Sequence, residues 1–98
     1  MGGYSMRMEH PGHDRQLPRL RRIHGQMAGI VRMVEEQRYC GDILTQLRAV
    51  QAALSAVQQE ILKSHVEHCV AGAIESGDQS ERQAKLSELY SILQRFGA

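Results

Sequence analysis

Residues 42–71 read DILTQLRAVQAALSAVQQEILKSHVEHCVA, thirty positions without Gly or Pro. Ile43, Leu47, Val50, Leu54, Val57 and Ile61 recur at steps of three and four, the repeat of one face of an α-helix. A single amphipathic helix is predicted from about Gly41 to Glu75, about 50 Å long at 1.5 Å per residue. Gly41 marks a short connection ahead of it, and Gly77 is the expected C-cap behind it.

Upstream, Leu17, Leu20, Ile23, Met27, Ile30 with Val31, and Val34 show the same helical spacing. Asp14 is the expected N-cap of this first helix, Pro18 is tolerated only in its early turns, and the helix should end near Gln37 or Arg38. Downstream, the polar stretch DQSERQ leads to a third helix, with Ser80 as its expected cap and Leu86, Leu89, Ile92, Leu93 and Phe96 as its apolar face. The predicted fold class is therefore all-α, three helices with the central one longest, in one helical domain over residues 14–98. Residues 1–13, with Gly2, Gly3, Pro11 and Gly12 and no periodicity, are expected to be a flexible N-terminal tail. Two shorter helices cannot cover both ends of so long a central one, so self-association through that helix is expected.

The net charge is +1, and the cations are ten Arg and two Lys. Four of the arginines cluster in RQLPRLRR, residues 15–22: Arg15, Arg19, Arg21 and Arg22, with no acid among them. Arg is the better fork for phosphate. No run of 18 apolar residues spans a membrane, and MGGYSMRMEHPGHD lacks the apolar segment of a signal peptide. A cytoplasmic location follows as the expectation, and there Cys40 and Cys69 are free thiols or ligands rather than a disulfide. There is no HExxH, no phosphate loop and no Ser nucleophile with an evident base, so no enzyme is expected. A thiol enzyme would lack both a cleft and a base.

Extended in both directions, the apolar seam of the central helix reaches Cys40 at one end and His65 and Cys69 at the other. They lie 25 and 29 residues apart, roughly 40 Å on a continuous helix. Cys40 and Cys69 of one chain then can neither share a metal nor form a disulfide, which needs Cα atoms within ~7 Å. Two copies paired antiparallel about a point near Leu54 bring Cys40 of one chain to His65 and Cys69 of the other, twice per dimer. Two thiolates and an imidazole are soft ligands, suited to Cu(I) in three coordination or to Zn(II) with a fourth ligand. His68 lies one position off the seam and is the candidate fourth. A different class of reading is a helical coiled-coil interaction module whose cysteines are incidental; it predicts no metal-linked change in DNA affinity.

The stretches RLRRIHGQMAGIVRMVEEQRYCGDILTQLRAVQAAL, ILKSHVEHC and ELYSILQRF together resemble the CsoR/RcnR family of metal-sensing transcriptional repressors, and the Cys, His, Cys spacing is closest to the copper-sensing type. The resemblance covers residues 19–96. It implies an all-α protomer, an antiparallel dimer and a dimer-of-dimers homotetramer. It implies Cu(I) held between protomers by Cys40 of one and His65 and Cys69 of the other. The metal-free tetramer would bind operator double-stranded DNA and repress an efflux or resistance operon, and metal would release it. By position, Tyr39 precedes the first ligand as in the copper sensors, and Glu88 falls where the family places a carboxylate bonded to the metal-bound imidazole. Arg15, Arg19 and Arg22 sit at i, i+4 and i+7 with Arg21 to the side; the family implicates such a patch in DNA binding, with Arg19 the best positional match. There is no helix-turn-helix signature to assign base contacts.

Nickel and cobalt sensors of the same family add nitrogen ligands, and His68, His10 and His13 are the candidates for Ni(II) or Co(II) here. The tail-ligand position of that type falls near Met8, on neither tail histidine, and retention of Cys69 favours copper. Relatives that sense reactive sulfur lack the equivalent of His65, and formaldehyde sensors carry an N-terminal Pro where this chain begins MGG.

Overall fold

The computed structural model describes residues 12–97. A three-residue 3₁₀ turn, Asp14–Gln16, leads into α1 (Leu17–Glu35), followed by α2 (Cys40–Glu75) and α3 (Gln79–Phe96). Among the described residues there is no strand, and the predicted all-α, three-helix architecture with a long central helix is what the chain adopts. Residues 1–11 of the expected tail, His10 among them, lie outside the described part. No helix among the described residues is long and apolar enough to cross a membrane.

The helix ends differ from expectation in instructive ways. Asp14 does not cap α1: it opens the 3₁₀ turn, where Gln16 N–H donates to His13 O at 2.9 Å. Gln16 takes the N-cap position without a side-chain bond, and Pro18 sits in the first turn, where a missing N–H costs nothing. α1 stops earlier than expected, at Glu35. Gln37 N–H donates to Val34 O at 3.1 Å and Arg38 N–H to Met33 O at 3.0 Å, the paired bonds of a Schellman ending. Gln37 has φ 57°, the left-handed conformation usually given to Gly.

Gly41 is not a connection but the second residue of α2, whose first turn closes with Asp42 and Ile43 N–H donating to Tyr39 O at 3.0 and 3.2 Å. At the far end no described glycine has positive φ, so Gly77 is not a left-handed cap. Instead Arg82 reaches back, donating from Nε to Ala73 O at 3.2 Å and from Nη2 to Ser76 O at 2.7 Å, which satisfies carbonyls that α2 leaves open. Asp78, rather than Ser80, caps α3: its Oδ1 accepts from Ser80 N–H at 3.0 Å. An Asp two residues upstream outcompetes Ser80 because only it has the extended backbone that a cap requires.

The chain divides into two compact units. In the first, His13–Gln59, the buried residues are Ile23 and Ile30 of α1 and Val50 and Val57 of α2. Each such side chain contributes about 1.5–3 kcal/mol by leaving water. In the second, residues 60–97, the buried residues are Cys69 and Ala73 of α2, with Lys85, Leu89 and Ile92 of α3 half-buried. Only part of each predicted apolar face is covered. Of the residues on those faces, Leu17, Met27, Val31, Val34 and Leu54 are exposed in the first unit, and Leu86, Leu93 and Phe96 in the second.

Candidate functional site

α2 runs unbroken from Cys40 to Glu75, so the continuity assumed for the seam holds. Cys40 is its first residue and is exposed. Beside it, the Tyr39 ring lies against the backbone at Gly41, where a Cβ would fall 2.5 Å from the ring's Cε2. The absence of a side chain at residue 41 is what lets the tyrosine fold over the first turn of α2.

His65 and Cys69 lie one turn apart in the second unit, His65 half-buried and Cys69 buried. The Cys69 thiol donates to Lys85 O of α3 at 3.1 Å. Burial pushes that thiol above its ordinary pKa, the carboxylate of Glu88 pushes it the same way, and the ammonium of Lys85 opposes them. Desolvation penalises the thiolate, and a nearby negative charge adds to the penalty. Glu88, picked out by position alone, is therefore within electrostatic reach of Cys69. His68 is exposed on the flank of α2, and His13 is half-buried ahead of the 3₁₀ turn.

Among the described residues of one chain, no three His, Cys, Asp or Glu side chains come together in a way that could hold a metal ion. His65 and Cys69, one turn apart on α2, carry an imidazole and a thiol. Both are soft or borderline, which suits a soft cation better than an oxygen-seeking one.

Arg15 lies in the 3₁₀ turn and Arg19, Arg21 and Arg22 in the first turns of α1; all four are exposed. None of the four takes part in the ion pair seen among the described residues, Arg38 Nη1 to Glu36 Oε1 at 4.0 Å. Their guanidinium groups face water, as phosphate contacts require.

Three residues near the site carried no signal in the sequence. Lys85 acts through its main-chain carbonyl, which has no side-chain signature. Gly72 lets α3 approach, with the Lys85 Cδ and Cε 3.5 Å from where its Cβ would be. Arg82 closes the turn between α2 and α3. A Gly in the interior of α2, far from its N-terminal Gly41, is the one hint that a close approach lay there.

A family model described as metal-sensitive transcriptional repressor matches residues 12–95. The copper-sensing transcriptional repressor CsoR of Bacillus subtilis (strain 168) is 48% identical over 83 residues, covering 85% of this chain and 79% of the relative. Among solved structures, the copper-sensing repressor CsoR with Cu(I) from Geobacillus thermodenitrificans NG80-2 superposes with a TM-score of 0.71 at 36% identity, over 100% of this chain and 94% of that one. The nickel-responsive transcriptional regulator InrS does so with a TM-score of 0.75 at 35% identity, over 88% of this chain and 93% of that one.

Proposed function

The chain belongs to the family of metal-sensitive transcriptional repressors, and from that premise we propose that it is a cytoplasmic repressor which holds operator DNA when metal-free and lets it go on binding Cu(I). The site is intermolecular: Cys40 of one protomer with His65 and Cys69 of a second, paired antiparallel along α2. The observation that carries this reading is the unbroken α2, with Cys40 as its first residue and Cys69 in the core near its other end. The exposed Met27, Val31, Val34 and Leu54 support a second copy against α1 and α2, since apolar patches of this kind mark association surfaces. A dimer of such dimers repeats the Arg15, Arg19, Arg21 and Arg22 patch four times.

The donor set fits the metal. Cu(I) accepts two thiolates and an imidazole and demands no fourth ligand. When bound it supplies a positive charge and fixed bonds between protomers. Cys40 and Cys69 bind it as thiolates, so each gives up a proton, and His65 binds as neutral imidazole. In this reading Glu88, whose charge acts on Cys69, accepts from the far ring nitrogen of His65 and fixes its tautomer, and Tyr39 directly precedes the first ligand. DNA and metal then oppose one another through a coupling free energy typically of about 1–3 kcal/mol.

A second reading has its own support. InrS is nickel-responsive and similar over most of the chain, and His68 lies beside the proposed ligands. Ni(II) would then add nitrogen donors from His68, or from His10 or His13.

Titration of reduced protein with Cu(I), and separately with Ni(II), while following binding to its own promoter DNA separates the two. Release at one Cu(I) per protomer supports copper. Indifference to Cu(I) with release by Ni(II) replaces it with the second reading, and indifference to both leaves only a helical interaction module.

A further inference from the structure

We propose that Gln51 and Gln58 set the register of the antiparallel pair: Gln51 of one protomer meets Gln58 of a second copy across the two-fold axis, and two such amide pairs hold the copies where Cys40 comes to Cys69. The inference rests on the preceding reading that two copies pair along α2, and adds what fixes the register of that pairing.

α2 has two faces that differ in how they are covered. Val50 and Val57, each 4% exposed, are taken up within the chain. Leu44, Leu47, Gln51, Leu54 and Gln58 follow one another at steps of three and four, a second stripe of the helix. That stripe is open: Leu44 and Leu54 are 63% and 46% exposed, and both glutamines are exposed. The charged residues of α2, Asp42, Arg48, Glu60, Lys63, Glu67 and Glu75, all lie off it. Depletion of charge marks the core of an association surface.

The stripe is self-complementary about the peptide bond between Leu54 and Ser55. Counted outward from that bond, Cys40 and Cys69 are each the fifteenth residue, Leu47 and Leu62 each the eighth, and Gln51 and Gln58 each the fourth. A two-fold axis through an antiparallel pair sets residues equidistant from its centre opposite one another. The cysteines alone fix that centre, and the glutamines, which take no part in placing it, then fall opposite each other. An amide has a carbonyl to accept and an NH₂ to donate, so two facing amides satisfy one another. An amide pressed against apolar carbon loses its water without replacement. A slip of one heptad keeps stripe on stripe but sets Gln58 against Leu44 of the second copy, or Gln51 against its His65. Leucines alone tolerate such a slip; polar groups within an apolar seam select one register.

Sedimentation of metal-free, reduced, full-length protein tests this, with helicity followed alongside. Q51E/Q58E opposes two carboxylates in each pair and should weaken association roughly a hundred-fold or more, the scale of like charges brought together in an interface. Q51E/Q58K opposes carboxylate and ammonium in both pairs, and should return association to within about ten-fold of wild type. That rescue belongs to the proposed register, because a slip of one heptad would oppose carboxylate to carboxylate or ammonium to ammonium. Residues 51 and 58 of one chain are about 10 Å apart along the helix, so the rescue is made between chains. A Q51E/Q58E protein that associates like wild type would overturn the proposal. So would Q51E/Q58K that dissociates as far as Q51E/Q58E does. If Q51E/Q58E loses its helicity, Q51E/Q58K still decides: folded and associated supports the amide pairs, dissociated overturns them. Wild type that is a monomer without metal sinks the pairing along α2 itself, and an associated wild type that takes up no Cu(I) sinks only the copper reading, so the failures are distinguishable.

Discussion

The first unit, His13–Gln59, buries only aliphatic carbon: Ile23, Ile30, Val50 and Val57. The second, residues 60–97, has in their place a thiol, Cys69, beside Ala73. The charges differ as well. The first unit has seven arginines against four acids, whereas residues 60–97 have six acids against four cations. One half thus combines an inert core with a cationic surface suited to DNA. The other puts a prospective ligand into its packing, where Glu88 and Lys85 act on it from α3. Packing and ligand chemistry can be altered separately in the first half but not in the second.

The largest effect that can break this contrast lies in the aliphatic core. Ile30→Ala, at a side chain only 6% exposed, should cost about 2–5 kcal/mol in denaturant unfolding. It should leave the number of Cu(I) bound per folded protomer unchanged. A variant that unfolds normally but binds no metal would show that the first core is not inert toward the site.

The two cysteines sharpen the contrast next. Cys40→Ala should remove the metal effect on DNA affinity, about 5- to 150-fold for a coupling of this kind, without moving the thermal midpoint, because Cys40 is exposed. Cys69→Ala should remove the same effect and also lower the midpoint, because it empties a core position. Retention of the full metal effect by Cys40→Ala would sink the intermolecular site. Alkaline pH separates the cysteines again. The folded state raises the Cys69 thiol pKa, so it holds that proton more tightly than the unfolded chain does. The resulting stability is complete below the ordinary thiol pKa of about 8.5 and is lost as pH rises through the native value. Wild type should therefore lose midpoint above about pH 8.5 faster than Cys69→Ala does. Parallel curves would mean that burial does not hold the thiol protonated.

On the cationic side, Arg19→Ala should weaken promoter binding and lower the slope of log affinity against log salt by about 0.9 for each phosphate it no longer neutralises. It should leave Cu(I) stoichiometry as it was. An unchanged slope would remove Arg19 from the DNA face.

How much of this was legible in the sequence depended on the scale of the feature. α2 was legible because thirty residues without a breaker and with one periodicity admit little else. The places of Cys40 at the first residue of α2, and of His65 and Cys69 one turn apart toward its other end, were legible because that helix fixes their register. The apolar face of α1 was legible as a face, but only Ile23 and Ile30 of its members are buried. A single chain offers no surface to cover Met27, Val31 and Val34, and periodicity does not say what lies opposite. The bonds that tie Lys85 and Arg82 to α2 were not legible, because main-chain carbonyls take part in them and residue identity does not announce that.

The smallest effects belong to the two connections, where the usual rule for helix ends is inverted. Gln37 holds the left-handed conformation at the end of α1 (φ 57°), whereas Gly77, after α2, has no positive φ. A side chain in the left-handed region crowds the following carbonyl at a cost of roughly 1–2 kcal/mol, part of which Gly gives back through its freedom in the unfolded chain. Gln37→Gly should therefore stabilise the protein by about 0.5–1 kcal/mol. Gly77→Ala should also stabilise, by about 0.4–1 kcal/mol, because its backbone suits an L residue and nothing lies within 4 Å of the added Cβ. A sequence rule that reads Gly77 as a left-handed cap predicts the opposite sign. Denaturant midpoints of the two variants decide between them: a Gly77→Ala protein less stable than wild type would mean that this connection reaches the left-handed region after all, and the Arg82 clasp would then not be what ends α2.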